Sequence, residues 1–154
     1  MLRPTLLLTS IASSSHCLAD NVPYLRCFEI ASTQHQVPLD LLIAVAAVES
    51  NFDPDARSPA NAHGIMQVRW PLTARHLGIT RLAELYNPCV NIERGAAYLA
   101  ELLGRYRNNT TLALAAYNYG PSRIGRVSDI PKGVLTYIDR VQMQQQKLSF
   151  ATAT

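Results

Sequence analysis

Eleven carboxylates could supply acid–base chemistry, and ten of them lie in loops or on polar helix faces, where a solvated charge accounts for them. Glu49 has a different setting. It follows Leu41-Leu42-Ile43-Ala44-Val45-Ala46-Ala47-Val48, a run that is apolar on every side and therefore predicts a buried helix. A carboxylate at the C-terminal end of such a helix is desolvated and meets the negative end of the helix dipole. Both effects favour the protonated form, and a carboxyl kept neutral near working pH is what a general acid requires. The competing account is a Glu49 that reaches solvent from the last turn or pairs with an arginine. Composition and spacing alone leave both open.

Polar groups are spaced around that helix. Ser50 and Asn51 follow the acid directly, Ser58 sits in the next loop, and Gly64 and Gln67 bracket an apolar pair. The run Leu112 to Gly120 places Tyr117 and Asn118 at the end of a helix rich in alanine, which allows close approach to the helix bearing Glu49. Aromatic faces stack on pyranose rings, and amides hydrogen-bond hydroxyl and acetamido groups. The set therefore suits a sugar polymer, although Tyr117 taken alone fits a core position as well. His35, His63 and His76 lack metal-ligand spacing and no His-Glu-x-x-His pattern occurs, so no metal and no cofactor is expected. His63, next to Gly64, is most simply a loop histidine, with substrate contact as the alternative.

The elements that must position these groups are helical nearly throughout, which predicts an all-α fold with at most a minimal β segment near 64–68. A helix from Pro23 to Gln36 turns Phe28 and Ala31 inward, with Cys27 beside them. Pro38 suits the first turn of the next helix, Leu39 to Ser50. Asn51 to Asn61, rich in Pro, Asp and Ser, is a loop. Gly64 to Val68 is a short extended segment. Pro71 to Leu77 forms one or two helical turns ended by Gly78. Asn87-Pro88 reads as an N-cap followed by proline at N1, opening a helix that buries Ile92, Ala96, Leu99, Leu103 and Tyr106. Asn109 or Thr110 caps a helix from Leu112 to Tyr119, which Gly120-Pro121 stops. A last helix, Val134 to Leu148, carries Val134, Ile138 and Val141 on one face, with a fraying tail from Ser149 to Thr154.

Residues 1–19 read as a secretory signal peptide: Arg3, a short apolar stretch from Leu6 to Ala12, and Cys17-Leu18-Ala19 before Asp20. The competing account is an N-terminal helix of the fold. The stretch is too short to span a bilayer, and His16 before Cys17 argues against a lipoprotein signal. The remainder, residues 20–154, makes one domain, expected to be a monomer and periplasmic. Without Arg3 the chain has 13 basic and 11 acidic residues, a balance of +2 that is too mild to argue for nucleic acid. Cys27 and Cys89 remain as an even pair in an exported chain, which predicts a disulfide, with two buried free thiols as the alternative.

Four ordered motifs match a family. Glu49-Ser50-Asn51-Phe52-Asp53-Pro54, then Ser58-Pro59 with Gly64-Ile65-Met66-Gln67, then Asn87-Pro88…Asn91…Gly95…Tyr98-Leu99, then Ala115-Ala116-Tyr117-Asn118-Tyr119-Gly120-Pro121 resemble the catalytic domain of soluble lytic transglycosylases. Tyr137-Ile138 is similar to that family's late Tyr-Val. The resemblance covers about residues 25 to 142 and implies a fold like goose-type lysozyme. It implies that Glu49 is the single catalytic acid/base and that Ser58, Met66, Gln67, Tyr117, Asn118 and Tyr137 line a groove for peptidoglycan glycan strands. Two departures matter. Met66 to Pro71 carries one residue more than the family's path to that proline, which alters how Arg69 and Trp70 meet substrate. Tyr119 replaces a small alanine beside the site, narrowing a subsite or adding a stacking face. The cysteine pair and compact size resemble the small transglycosylases that accompany secretion systems, pili and conjugation machines.

The family implies a product without water added: Glu49 protonates the bridging oxygen, then takes the proton from the muramic C6 hydroxyl as it attacks C1. A hydrolytic muramidase on the same fold and a non-catalytic glycan-binding module are the alternatives. The cysteines give the first test. Intact mass after alkylation, with and without reductant, should show no reactive thiol at Cys27 and Cys89 until reduction. Two alkylated thiols in the native exported protein would exclude the bridge.

Overall fold

The computed structural model describes residues 22–152, with side chains to residue 149. The expected signal segment, residues 1–19, lies outside the described residues. Six α-helices appear among them: α1 (Leu25–His35), α2 (Leu39–Ser50), α3 (Leu72–His76), α4 (Pro88–Arg105), α5 (Thr110–Tyr119) and α6 (Lys132–Thr152). Short 3-10 turns at Leu82–Tyr86 and Val127–Asp129 precede α4 and α6. Two strands, β1 (Ala62–His63) and β2 (Val68–Arg69), form a small antiparallel hairpin. The fold is all-α and lysozyme-like, as the helical periodicity and the resemblance predict.

Helix α2 begins and ends where its sequence demands. Pro38 stands just before the first turn rather than inside it, and Leu41 to Ala46 are all buried. This central helix packs on α6, while α1 packs on α4, and α5 lies between α4 and α6. Burying α2 on every side is consistent with its lack of a polar face and leaves its C-terminal end as the one place where it carries chemistry. Cys27 and Cys89 are joined, with Cα atoms 5.1 Å apart, tying α1 to the first turn of α4 across 62 residues. Closing a loop of that length contributes roughly 4 kcal/mol in the chain-entropy model.

Three expectations need correction. Of the extended segment expected at Gly64 to Val68, Gly64 to Gln67 instead form the turn of the hairpin, and only Val68 is extended, as the first residue of β2. In α4 the buried face runs through Asn91, Ile92, Gly95, Ala96, Leu99 and Leu102; Leu103 is half-buried, and Tyr106 falls just past the helix end. A strict four–three spacing drifts off one face of a 3.6-residue helix, which is why Leu102 replaces Leu103. Finally, α6 continues through the expected frayed end to Thr152. Gln145 Nε2 donates to Asp40 Oδ2 at 3.0 Å, holding that last stretch against the start of α2.

The hairpin turn is fixed from below by Asn91, which is fully buried in α4. Its Oδ1 accepts from the Met66 N–H at 2.7 Å, and its Nδ2 donates to the His63 carbonyl at 2.9 Å and the Leu85 carbonyl at 2.8 Å. Gly64, at φ +73°, lies so close to this amide that a Cβ would collide with it and with the Leu85 carbonyl. Replacing Asn91 by alanine strands one buried N–H and weakens two carbonyls, a loss of about 3 kcal/mol or more. Asn118→Ala, on an exposed face, should change stability by less than about 0.5 kcal/mol. Urea denaturation of the two variants measures the difference, and equal stabilities would contradict the clamp.

Candidate active site

Glu49 is the penultimate residue of α2. The chain turns sharply after it, because Asn51 and Phe52 both take left-handed backbone, at φ +52° and +64°. That conformation costs about 1–2 kcal/mol for a bulky residue. The Phe52 ring offsets this by packing edge-on against buried Phe28, with centroids 6.1 Å apart. The carboxyl is thus left at the margin of the core rather than pointing into solvent.

Its partner comes from the other end of the chain. Tyr137 of α6 donates to Glu49 Oε1 at 2.8 Å. Burial pushes the Glu49 carboxyl up from its ordinary 4.5 to about 7, against a smaller downward pull from the Tyr137 hydroxyl and the Arg140 guanidinium. The predicted alternative, an acid freely exposed at the last turn, is not what forms. Burial, followed by the nearby Glu49, holds the phenols of Tyr117 and Tyr137 well above their ordinary 10. Both therefore stay neutral hydrogen-bond donors.

A cleft of about 250 Å³ opens beside the acid, lined by Glu49, Ser58, Gln67, Tyr117 and Asn118. Five of the seven residues picked from sequence thus meet in one place. Ser58 Oγ accepts from the Ala62 N–H at 3.2 Å, leaving its own O–H to donate. Gln67 commits Nε2 to the carbonyls of Gly64 at 2.9 Å and Ala56 at 3.3 Å, leaving Oε1 to accept. The exposed Asn118 amide offers both functions. The other two residues lie behind the cleft wall. Met66 is fully buried against Gly95, and its carbonyl accepts from the Tyr117 hydroxyl at 2.8 Å. Tyr137 is buried behind the acid that it bonds. His63 is neither a loop histidine nor a substrate contact. It is fully buried, with Nδ1 2.8 Å from the Tyr86 hydroxyl and Nε2 2.8 Å from Asn61 Oδ1.

A family model described as the transglycosylase SLT domain matches residues 26–137. The chain belongs to this family. It is 33% identical over 137 residues to the membrane-bound lytic murein transglycosylase C of Actinobacillus succinogenes, covering 79% of this chain and 38% of that one. It is 32% identical over 108 residues to the soluble lytic murein transglycosylase of Escherichia coli, covering 66% and 17%. Among solved structures, lytic transglycosylase Slt of Pseudomonas aeruginosa, crystallised as an inactive Glu-to-Gln mutant, superposes with a TM-score of 0.73 at 28% identity, over 84% of this chain and 25% of that one. The chain thus spans well under half the length of the family members it matches. Within the SLT domain of this protein, sequence reasoning overlooked Ala62 in the cleft wall and the charge of Arg140 near the acid. Ala62 gives no signal, being a small apolar residue in a two-residue strand. Arg140 stands three residues after Tyr137, the spacing that puts two side chains on one helix face.

The raised Glu49 pKa carries a stability cost with a defined sign. The folded value, about 7, lies above the ordinary 4.5, so the stability this group contributes is fully present below pH 4.5 and is lost as pH rises through 7. Above that window the ionised carboxylate costs the fold about 3 kcal/mol. Glu49→Gln should therefore melt higher than the wild type at pH 8, with the gap closing near pH 4.5. Parallel melting curves across that range check this; a gap independent of pH would contradict the buried-acid assignment.

Proposed function

We propose that this protein is a peptidoglycan lytic transglycosylase, cleaving the β-1,4 bond between N-acetylmuramic acid and N-acetylglucosamine and leaving a 1,6-anhydromuramic end. The observation that carries this is a single acid with no second carboxylate beside it in the cleft. Glu49 is held close to half-protonated at neutral pH, and no second Asp or Glu lines its cleft among the described residues. Glycosidases that use water generally set two carboxylates across the scissile bond, one of them to activate water or act as nucleophile. A lone acid suits a reaction in which the substrate supplies both the charge stabilisation and the nucleophile.

In this mechanism Glu49 gives its proton to the bridging oxygen, and the C1–O bond breaks. The Tyr137 hydroxyl, 2.8 Å from Oε1, stabilises the carboxylate as it forms. Positive charge at C1 is met by the carbonyl of the substrate's own acetamido group. The muramic C6 hydroxyl then attacks C1 while Glu49 takes its proton, which closes the anhydro ring and returns the acid to its starting state. Ser58, Gln67 and Asn118 orient the sugars, and the Tyr117 ring supports the cleft wall. The inactivity of the Pseudomonas neighbour's Glu-to-Gln form shows that a glutamate is essential in that protein, which supports an essential acid here.

The same reading places the protein in the periplasm, exported through residues 1–19, with 20–154 as the working domain. It also assigns it to local opening of the wall for a secretion, pilus or conjugation apparatus. The compact, disulfide-tied domain supports this last role.

Glu49→Gln should lower digestion of sacculi by about 10²–10⁴-fold or more while circular dichroism stays unchanged. Wild-type products should carry ends lighter by one water than reducing ends. Reducing ends in the mass spectrum would replace this mechanism with hydrolysis, and a fully active Glu49→Gln would remove the acid assignment.

A further inference from the structure

The cleft at Glu49 continues into a second lobe. Gln67, Arg69 and Tyr117 line both, and the second lobe, about 290 Å³, runs toward the end of α5. Two arginines, Arg69 and Arg123, line it, and among the described residues no Asp or Glu does. Neither arginine has a carboxylate within ion-pair distance among the described residues. Two like charges sharing a cleft without a counter-charge is an arrangement that a bound anion relieves.

Both side chains are anchored at their backbones. Arg69 lies on β2 with its neighbour Val68 buried, so alternation turns Arg69 outward. Directly after it, the Trp70 N–H donates to the Asn61 carbonyl, and Asn61 Nδ2 donates back to the Trp70 carbonyl, each at 2.8 Å. Arg123 sits on the turn after α5, with its guanidinium 5.0 Å from the centroid of the Tyr119 ring. That turn is pinned by buried Ile124, whose carbonyl accepts from the Tyr106 hydroxyl at 2.9 Å.

We propose that this lobe binds a carboxylate carried by the glycan strand, gripped by the planar forks of Arg69 and Arg123. The inference rests on the glycan-cleaving reading and adds to it the two side chains that hold the strand's carboxylate. The carboxylate comes from the lactyl ether of a stripped muramic sugar or from the peptide attached to it.

Binding tests this without turnover. In the Glu49→Gln protein the strands stay intact, and Trp70, the only tryptophan of the chain, reports beside Arg69. Its fluorescence is titrated with peptide-bearing glycan strands, with strands stripped of peptide by an amidase, and with neutral chitin hexasaccharide; co-sedimentation with sacculi is the second readout. Replacing both arginines by glutamine should weaken binding of the anionic strands about tenfold and leave the neutral oligosaccharide within about twofold. Salt near 0.5 M should close most of that gap, since the Debye length falls to about 4 Å. A loss confined to peptide-bearing strands assigns the peptide carboxylates, and a loss on stripped strands assigns the lactyl group. Equal losses on neutral and anionic ligands, or no loss on either anionic strand, overturn the proposal. Absence of anhydro ends from the wild type would instead remove the catalytic reading, leaving these binding comparisons to judge the arginines.

Discussion

Four residues, Gly64 to Gln67, hold the molecule's working parts together through their backbone. The Met66 N–H goes to Asn91 on α4, the Ile65 carbonyl accepts from Ser50 on α2 at 2.8 Å, and the Met66 carbonyl accepts from Tyr117 on α5. Buried backbone groups must find partners, so a turn driven into the core between three helices dictates what those helices carry. A serine has to follow the acid, an asparagine has to stand in an otherwise apolar helix face, and a tyrosine has to end the alanine-rich helix. Gly95 completes the set by leaving room for the Met66 side chain, whose Cβ would lie 2.5 Å from a Cβ built there. The residues that line the cleft are therefore the visible margin of a structural joint.

The electrostatics of Glu49 sit on the same joint. Burial alone would raise this acid further than it is raised, and the Tyr137 hydroxyl and Arg140 hold it back. The opposing influences leave it near neutrality, where one group can give a proton and then accept one. The price in stability is specific to the ionised form, so the fold tolerates its acid best when the acid is ready to donate.

Local features were readable and long-range ones were not. Helix α2 was legible to the residue because an uninterrupted apolar run lies between a proline and a polar loop. The caps of α4 and α5 were legible because Asn87 and Asn109 each accept a backbone N–H from their first turn. The hairpin was misplaced because two-residue strands are too short to show alternation. The 3-10 turn that buries Leu85 left no periodic trace, and the three-way role of Asn91 could not follow from an amide on a helix. The pairing of Glu49 with Tyr137 spans 88 residues; family resemblance placed Tyr137 in the groove and did not pair it with the acid. Arg123 was invisible because its meaning depends on a turn that folds it back over Tyr119.

Tyr137 also sets an order of assembly. It lies on α6, the most C-terminal helix among the described residues, and that helix supplies the wall against which α2 packs. Until α6 docks, residue 49 is an ordinary glutamate at the frayed end of an apolar helix, ionised and unable to protonate anything. A chain clipped before α6 therefore lacks the raised carboxyl at residue 49, so the buried acid exists only once that helix is docked.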